Sequence, residues 1–109
     1  MKIFWTDFAS ETLSEIYQYY KENASPIVAN KIKSEIFRST RQLKRFPNSG
    51  HFELNLQKLN QRHRYLVQGN YKIIYKKIPG GILITDVFDT RQDPAKINNP
   101  ERKPGKKES

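Results

Sequence analysis

The residues of this chain best suited to chemistry are cations and tyrosines, concentrated between positions 62 and 94 (RHRYLVQGNYKIIYKKIPGGILITDVFDTRQDP). Between Leu54 and Thr85 there is no acid, while Lys58, Arg62, Arg64, Lys72, Lys76 and Lys77 supply six positive charges. Cations arrayed on strands can hold phosphates, and tyrosines can stack on bases. A cation cluster can also stabilise the charge that develops when RNA is cleaved at a 2′-hydroxyl. Other chemistries lack their parts. The chain has no glycine-rich phosphate loop, no HExxH, no nucleophile elbow and no Cys/His cluster. With no cysteine, disulfides and thiolate metal sites are excluded, and neither a metal nor another cofactor is expected. His51 and His63 stand in a loop and on a strand with few carboxylates nearby, so each reads as a polar surface or core residue. The competing reading of Arg64 is structural, as an ion-pair partner of Asp86 or Asp89, with Ile73, Ile74, Val87 and Phe88 as core.

Three strands must position these groups. Arg62 to Gln68 is followed by Gly69-Asn70, a two-residue hairpin signal; Tyr71 to Ile78 by the turn Pro79-Gly80-Gly81; and Ile82 to Phe88 is a continuous apolar-rich strand. A two-residue turn sets Arg64 opposite Tyr75, Tyr65 opposite Ile74 and Val67 opposite Lys72. Strand parity then groups Arg64, Tyr71, Tyr75, Asp89 and Arg91 on one face, and Lys72 and Lys76 on the other with Val67, Ile74 and Phe88. One face must cover helices, and the pattern leaves open which, since a register slip exchanges the two sets.

Upstream, Lys2 to Trp5 reads as an edge strand. Thr6-Asp7 caps a helix through Glu22 with Ala9, Leu13, Ile16, Tyr17 and Tyr20 at helical spacing. Ser25-Pro26 starts a second helix, expected to run to Phe46. Ala29, Ile32, Ile36 and Leu43 form its apolar face; Lys31, Lys33, Arg38, Arg41, Lys44 and Arg45 lie elsewhere on it against the single acid Glu35. The short connection makes the two helices an antiparallel hairpin. Residues 47–61 are read as a loop. The order β-α-α-β-β-β predicts an α+β fold, a helical hairpin packed on a mostly antiparallel four-stranded sheet, over residues 1–97. Residues 98–109, rich in Pro, Gly and charge, read as a flexible basic C-terminal tail.

The 109 residues bound this to one domain with a modest core. No run approaches the roughly 18 apolar residues of a membrane span, and the start has no signal-peptide pattern, so a cytoplasmic protein without a membrane partner is expected. The net charge is +9, which attracts polyanions such as nucleic acid or an acidic protein partner.

The phrases FWTDFASETLSEIYQYY, FPNSG, YKIIY and VFDTRQDPAKI, in that order over residues 3–97, resemble the RelE/ParE superfamily of type II toxin–antitoxin toxins. The resemblance implies a small cytoplasmic toxin neutralised by a cognate antitoxin that lays an acidic or amphipathic segment over the sheet and helices. Such modules serve plasmid stabilisation, and the toxin forms a homodimer or a toxin–antitoxin hetero-oligomer. Two activities occur among its members. RelE-like toxins are mRNA interferases that cut messenger RNA on the ribosome without a metal, whereas ParE-like toxins inhibit DNA gyrase. For the nuclease branch, the matching catalytic positions are Arg64, Lys72 and Arg91. Lys72 stands where that branch has an arginine, and lysine lacks the planar fork that grips phosphate in two places. Nothing after Arg91 is a tyrosine or histidine. The long helical hairpin, the opening tryptophan phrase and VFDTRQDP look closer to ParE. On that side Lys58, Arg62, Arg64, Lys72, Lys76 and Arg91 are the expected target or nucleic-acid contacts, with the cationic face of the second helix. A toxin decayed to an antitoxin- or operator-binding component is the third reading.

Overall fold

The computed structural model describes residues 1–99 and Arg102. Strand β1 (Lys2–Trp5) leads into helix α1 (Asp7–Asn23), whose start is capped by the Thr6 hydroxyl accepting from the Ala9 amide at 3.0 Å. After two residues, helix α2 (Pro26–Arg41) begins with the Ser25 hydroxyl accepting from the Val28 amide at 3.1 Å. Both caps sit where the Thr6-Asp7 and Ser25-Pro26 signals place them. The second helix is shorter than expected. It tightens into a 3-10 helix at Gln42–Lys44 before Phe46, because Pro47 disfavours helical backbone just before it and Leu43 turns fully into the core.

Strand β2 (His51–Phe52) and a 3-10 helix (Leu54–Leu59) follow, then β3 (Arg64–Gln68), β4 (Tyr71–Ile78), β5 (Gly81–Asp89) and a last 3-10 helix (Pro94–Asn98). The sheet has five strands in the order β1-β5-β4-β3-β2, with β1 parallel to β5 and all other pairs antiparallel. The fifth strand is β2, a two-residue pairing of His51 with Tyr65 and Phe52 with Arg64 inside the segment read as loop. The hairpin register is the expected one: Arg64 opposite Tyr75, Tyr65 opposite Ile74, Val67 opposite Lys72. Gly69, with φ of 59°, supplies the positive φ that a two-residue turn of II′ type requires at its first central position.

The helices take the face bearing Tyr71, Ile73, Tyr75, Ile82, Ile84 and Val87, against Ala9, Leu13, Ile36 and Leu43. The opposite face carries a second small core of Leu56, Ile74, Phe88 and Ile97, with Tyr65 packed against it. Leu56 and Ile97 come from the two longer 3-10 helices. A strand covered on both faces reads as a continuous apolar run, which is why ILITDVF shows no alternation. A bulge interrupts this run: Ile74 pairs with Asp86 but Tyr75 with Ile84, leaving Thr85 as the extra residue. Ile84 therefore faces the helices while Asp86 stands with Phe88 on the other side.

Of the segment expected to be a tail, Asn98, Asn99 and Arg102 are described. Asn98 belongs to the last 3-10 helix, and Arg102 is bound to the buried Asp86 by bonds of 2.6 and 2.9 Å. Residues 100–101 and 103–109 lie outside the described residues.

Candidate functional site

The FPNSG phrase folds around two side chains of the sheet. Fully buried Tyr75 donates its hydroxyl to the Pro47 carbonyl at 2.9 Å and accepts from the Gly50 amide at 2.9 Å. A Cβ at Gly50 would meet the Tyr75 hydroxyl at 2.6 Å and the Tyr65 carbonyl at 2.7 Å, so only glycine fits there. Burial pushes the Tyr75 hydroxyl above the ordinary tyrosine range, against the opposing pull of the Gly50 amide and Arg64. Arg64 donates from Nη1 to the carbonyls of Asn48 (3.2 Å) and Gly50 (2.9 Å), and its guanidinium lies 4.0 Å from the centre of the Phe52 ring. Its partners are thus carbonyls and an aromatic face, not Asp86 or Asp89. They fix the guanidinium without neutralising it.

Arg62 reaches the same ring, 5.5 Å from its centre. Its φ of 57°, close after Asn60 at 53°, is left-handed backbone that arginine rarely adopts. Arg62 and Arg64 then line a cleft of about 180 Å³ with Lys76, Lys77, Asn48, Gln61 and Tyr75. The Lys76 ammonium donates to Gln61 Oε1 at 2.7 Å. Among the described residues, four cations and neither a carboxylate nor an imidazole line this cleft. Such a surface attracts phosphate or carboxylate oxygens through its charge.

The structure therefore brings together Arg62, Arg64 and Lys76 of the sequence-expected residues and places the others elsewhere. Lys58 is exposed on the 3-10 helix Leu54–Leu59. Lys72 lies on the face opposite Arg64, bonded at 3.0 Å to the almost fully buried carboxylate of Glu53 and 4.2 Å from the centre of the Tyr65 ring. Arg91, beyond the end of β5, forms a two-bond pair with Asp89 at 2.8 and 2.9 Å. That pair holds the Asp89 carboxyl below its usual range and pushes the Arg91 guanidinium up. The nuclease trio Arg64, Lys72 and Arg91 does not converge. Lys77, counted among the six cations but not among the expected contacts, joins the cleft as the neighbour of Lys76. Nothing local marks Phe52, which the β2–β3 pairing brings against Arg62 and Arg64.

A second basic surface runs along α2 and the 3-10 helix after it, where Lys31, Lys33, Arg38, Arg41, Lys44 and Arg45 are all exposed. An apolar groove of about 400 Å³ opens between the helices and β1, lined by Trp5, Leu13, Tyr17 and Phe37 with Ser10, Ser14 and Lys33. Among the described residues no group of three His, Cys, Asp or Glu could hold a metal ion, and no helix is long and apolar enough to cross a membrane.

This fold is of the ParE type. Residues 3–94 match the family of the ParE toxin of type II toxin–antitoxin system, parDE, and the chain belongs to that family. A solved structure from the chromosomal ParDE TA system from P. aeruginosa shares the fold with a TM-score of 0.68. At 21% identity the alignment covers 82% of this chain and 95% of that one. A comparison with curated protein sequences finds no significant match.

Proposed function

We propose that this chain acts as a non-enzymatic inhibitor of DNA gyrase in the cytoplasm and is neutralised by a cognate antitoxin. The observation that carries this reading is the cleft of Arg62, Arg64, Lys76 and Lys77, which is cationic, has Asn48 of the FPNSG loop in its lining and holds, among the described residues, no carboxylate or imidazole. An inhibitor that engages gyrase or its DNA needs an anion-gripping surface and no reacting groups. A ribosome-dependent nuclease needs its cations to converge on one scissile phosphate; Lys72 and Arg64 lie on opposite faces, which argues against it. Lys58, Lys72 and Arg91 remain secondary contacts in this reading.

The antitoxin segment is assigned to the groove between the helices and β1. Its lining sets the apolar Trp5, Leu13, Tyr17 and Phe37 beside the cation of Lys33. An acidic, amphipathic segment matches both features.

The test is to add the purified chain to gyrase and relaxed DNA in one reaction and to a translating extract in another. Loss of supercoiling with intact messenger RNA is expected. Codon-phased cleavage with normal supercoiling would overturn the reading in favour of the nuclease.

A further inference from the structure

The sequence is strongly basic, yet one region of the structure is built to hold a cation. Asp86 has no exposed surface and accepts from Arg102 Nε at 2.9 Å and Nη2 at 2.6 Å. The guanidinium carbon lies 5.1 Å from the ring centres of both Phe8 and Phe88. A buried carboxylate that takes both edges of a planar fork, with aromatic rings close by, is the geometry that distinguishes guanidinium from ammonium. Strand alternation sets Asp86 on the face where Phe88 stands, and the bulge at Thr85 turns Ile84 to the helix side instead.

The surroundings have the same polarity. Phe8 and Arg102 line a groove of about 520 Å³ that also carries Glu11, Glu15, Asp89 and Arg91. Both arginines in it are already paired, Arg91 with Asp89 and Arg102 with Asp86, while Glu11 and Glu15 add negative charge to its wall. Burial pushes the Asp86 carboxyl above its ordinary range even with Arg102 bound, so the ionised acid depends on a cation beside it.

We propose that Asp86, Phe8 and Phe88 form a guanidinium-binding cage, a site for an arginine side chain, which this chain fills with its own Arg102. Arg102 is then the cage's ligand supplied from within the same chain. Any arginine presented to the acidic groove competes with it for Asp86.

The test uses methylguanidinium chloride as the probe and methylammonium chloride at equal concentration as the control. Melting temperature is followed for the full chain, Arg102→Ala, Arg102→Lys and the double variant Asp86→Asn/Arg102→Ala. Arg102→Ala should gain about 4 °C or more in a saturable way over the control, with a much smaller gain for the full chain and none for the double variant. Arg102→Lys, which keeps a cation near Asp86 without the fork, should also respond and serves as the readout if Arg102→Ala does not fold. Equal responses of the full chain and the readout variant, or a double variant that responds as strongly as Arg102→Ala, would overturn the proposal.

Discussion

The two ends of the sheet treat their cations in opposite ways. At the end where β3 begins, Arg64 is held by two carbonyls and a phenyl ring, and Arg62 lies over the same ring, with no acid lining the cleft among the described residues. At the end where β5 finishes, Arg91 and Arg102 each face an aspartate in a two-bond pair. Carbonyls and rings orient a guanidinium and leave its charge to act outward, whereas a carboxylate cancels it. A sequence count of positive residues therefore overstates the charge available to a partner at one end and locates it at the other.

The sharpest way to break this contrast is Arg102→Ala. Removing one member of a buried pair strands Asp86, with an expected loss of about 3 kcal/mol at neutral pH by chemical denaturation. The sign of the pH dependence follows from the raised Asp86 carboxyl. Its stabilising contribution is greatest where the acid is neutral and is lost as pH rises through its elevated range. The variant should thus lie closest to the parent at low pH and diverge as pH increases; the same deficit at every pH would show that Asp86 is not the cause.

At the other end, Gly50→Ala drives a methyl group against the Tyr75 hydroxyl and the Tyr65 carbonyl. Overpacking of this kind should destabilise by about 2 kcal/mol and, by moving the FPNSG loop, weaken polyanion binding. Paired substitution of Arg62 and Lys77 by alanine should leave the melting temperature near the parent value while lowering gyrase inhibition about tenfold, with a shallower salt dependence. Arg62→Gly separates strain from charge. It should raise stability by about 0.5–1 kcal/mol, because glycine accepts the left-handed backbone, and still reduce inhibition. Arg91→Ala is expected to change least, since its ion pair is exposed and already satisfied; an inhibition loss greater than that of the cleft variants would move the target contact to the far end of the sheet.

The local features were legible and the long-range ones were not. Thr6 and Ser25 announce the helices because caps act within one turn, and Gly69-Asn70 fixes the Arg64–Tyr75 register because a two-residue turn leaves no freedom. The helix-covered face was left undetermined because cations stand on both sides of the meander. The bulge at Thr85 is silent in a strand buried on both faces, so nothing foretold that Ile84 would leave the face of Asp86 and Phe88 for the helices. The Lys72–Glu53 pair joins a strand to a segment with no periodic pattern. Arg102 looked like one more charge in a polar tail. The cleft was half visible, in Arg62, Arg64 and Lys76, and its remaining parts depend on β2 and the FPNSG loop closing over the sheet.

One consequence concerns the order of folding. Strand β1 pairs with β5, Lys2 opposite Gly81 and Trp5 opposite Ile84, so this edge of the sheet closes between segments far apart in the chain. Such a pairing costs more loop-closure entropy than the local hairpins and should form after them. A fragment ending before position 81 leaves Phe4 and Trp5 without their strand partners Leu83 and Ile84, an unpaired edge that favours aggregation.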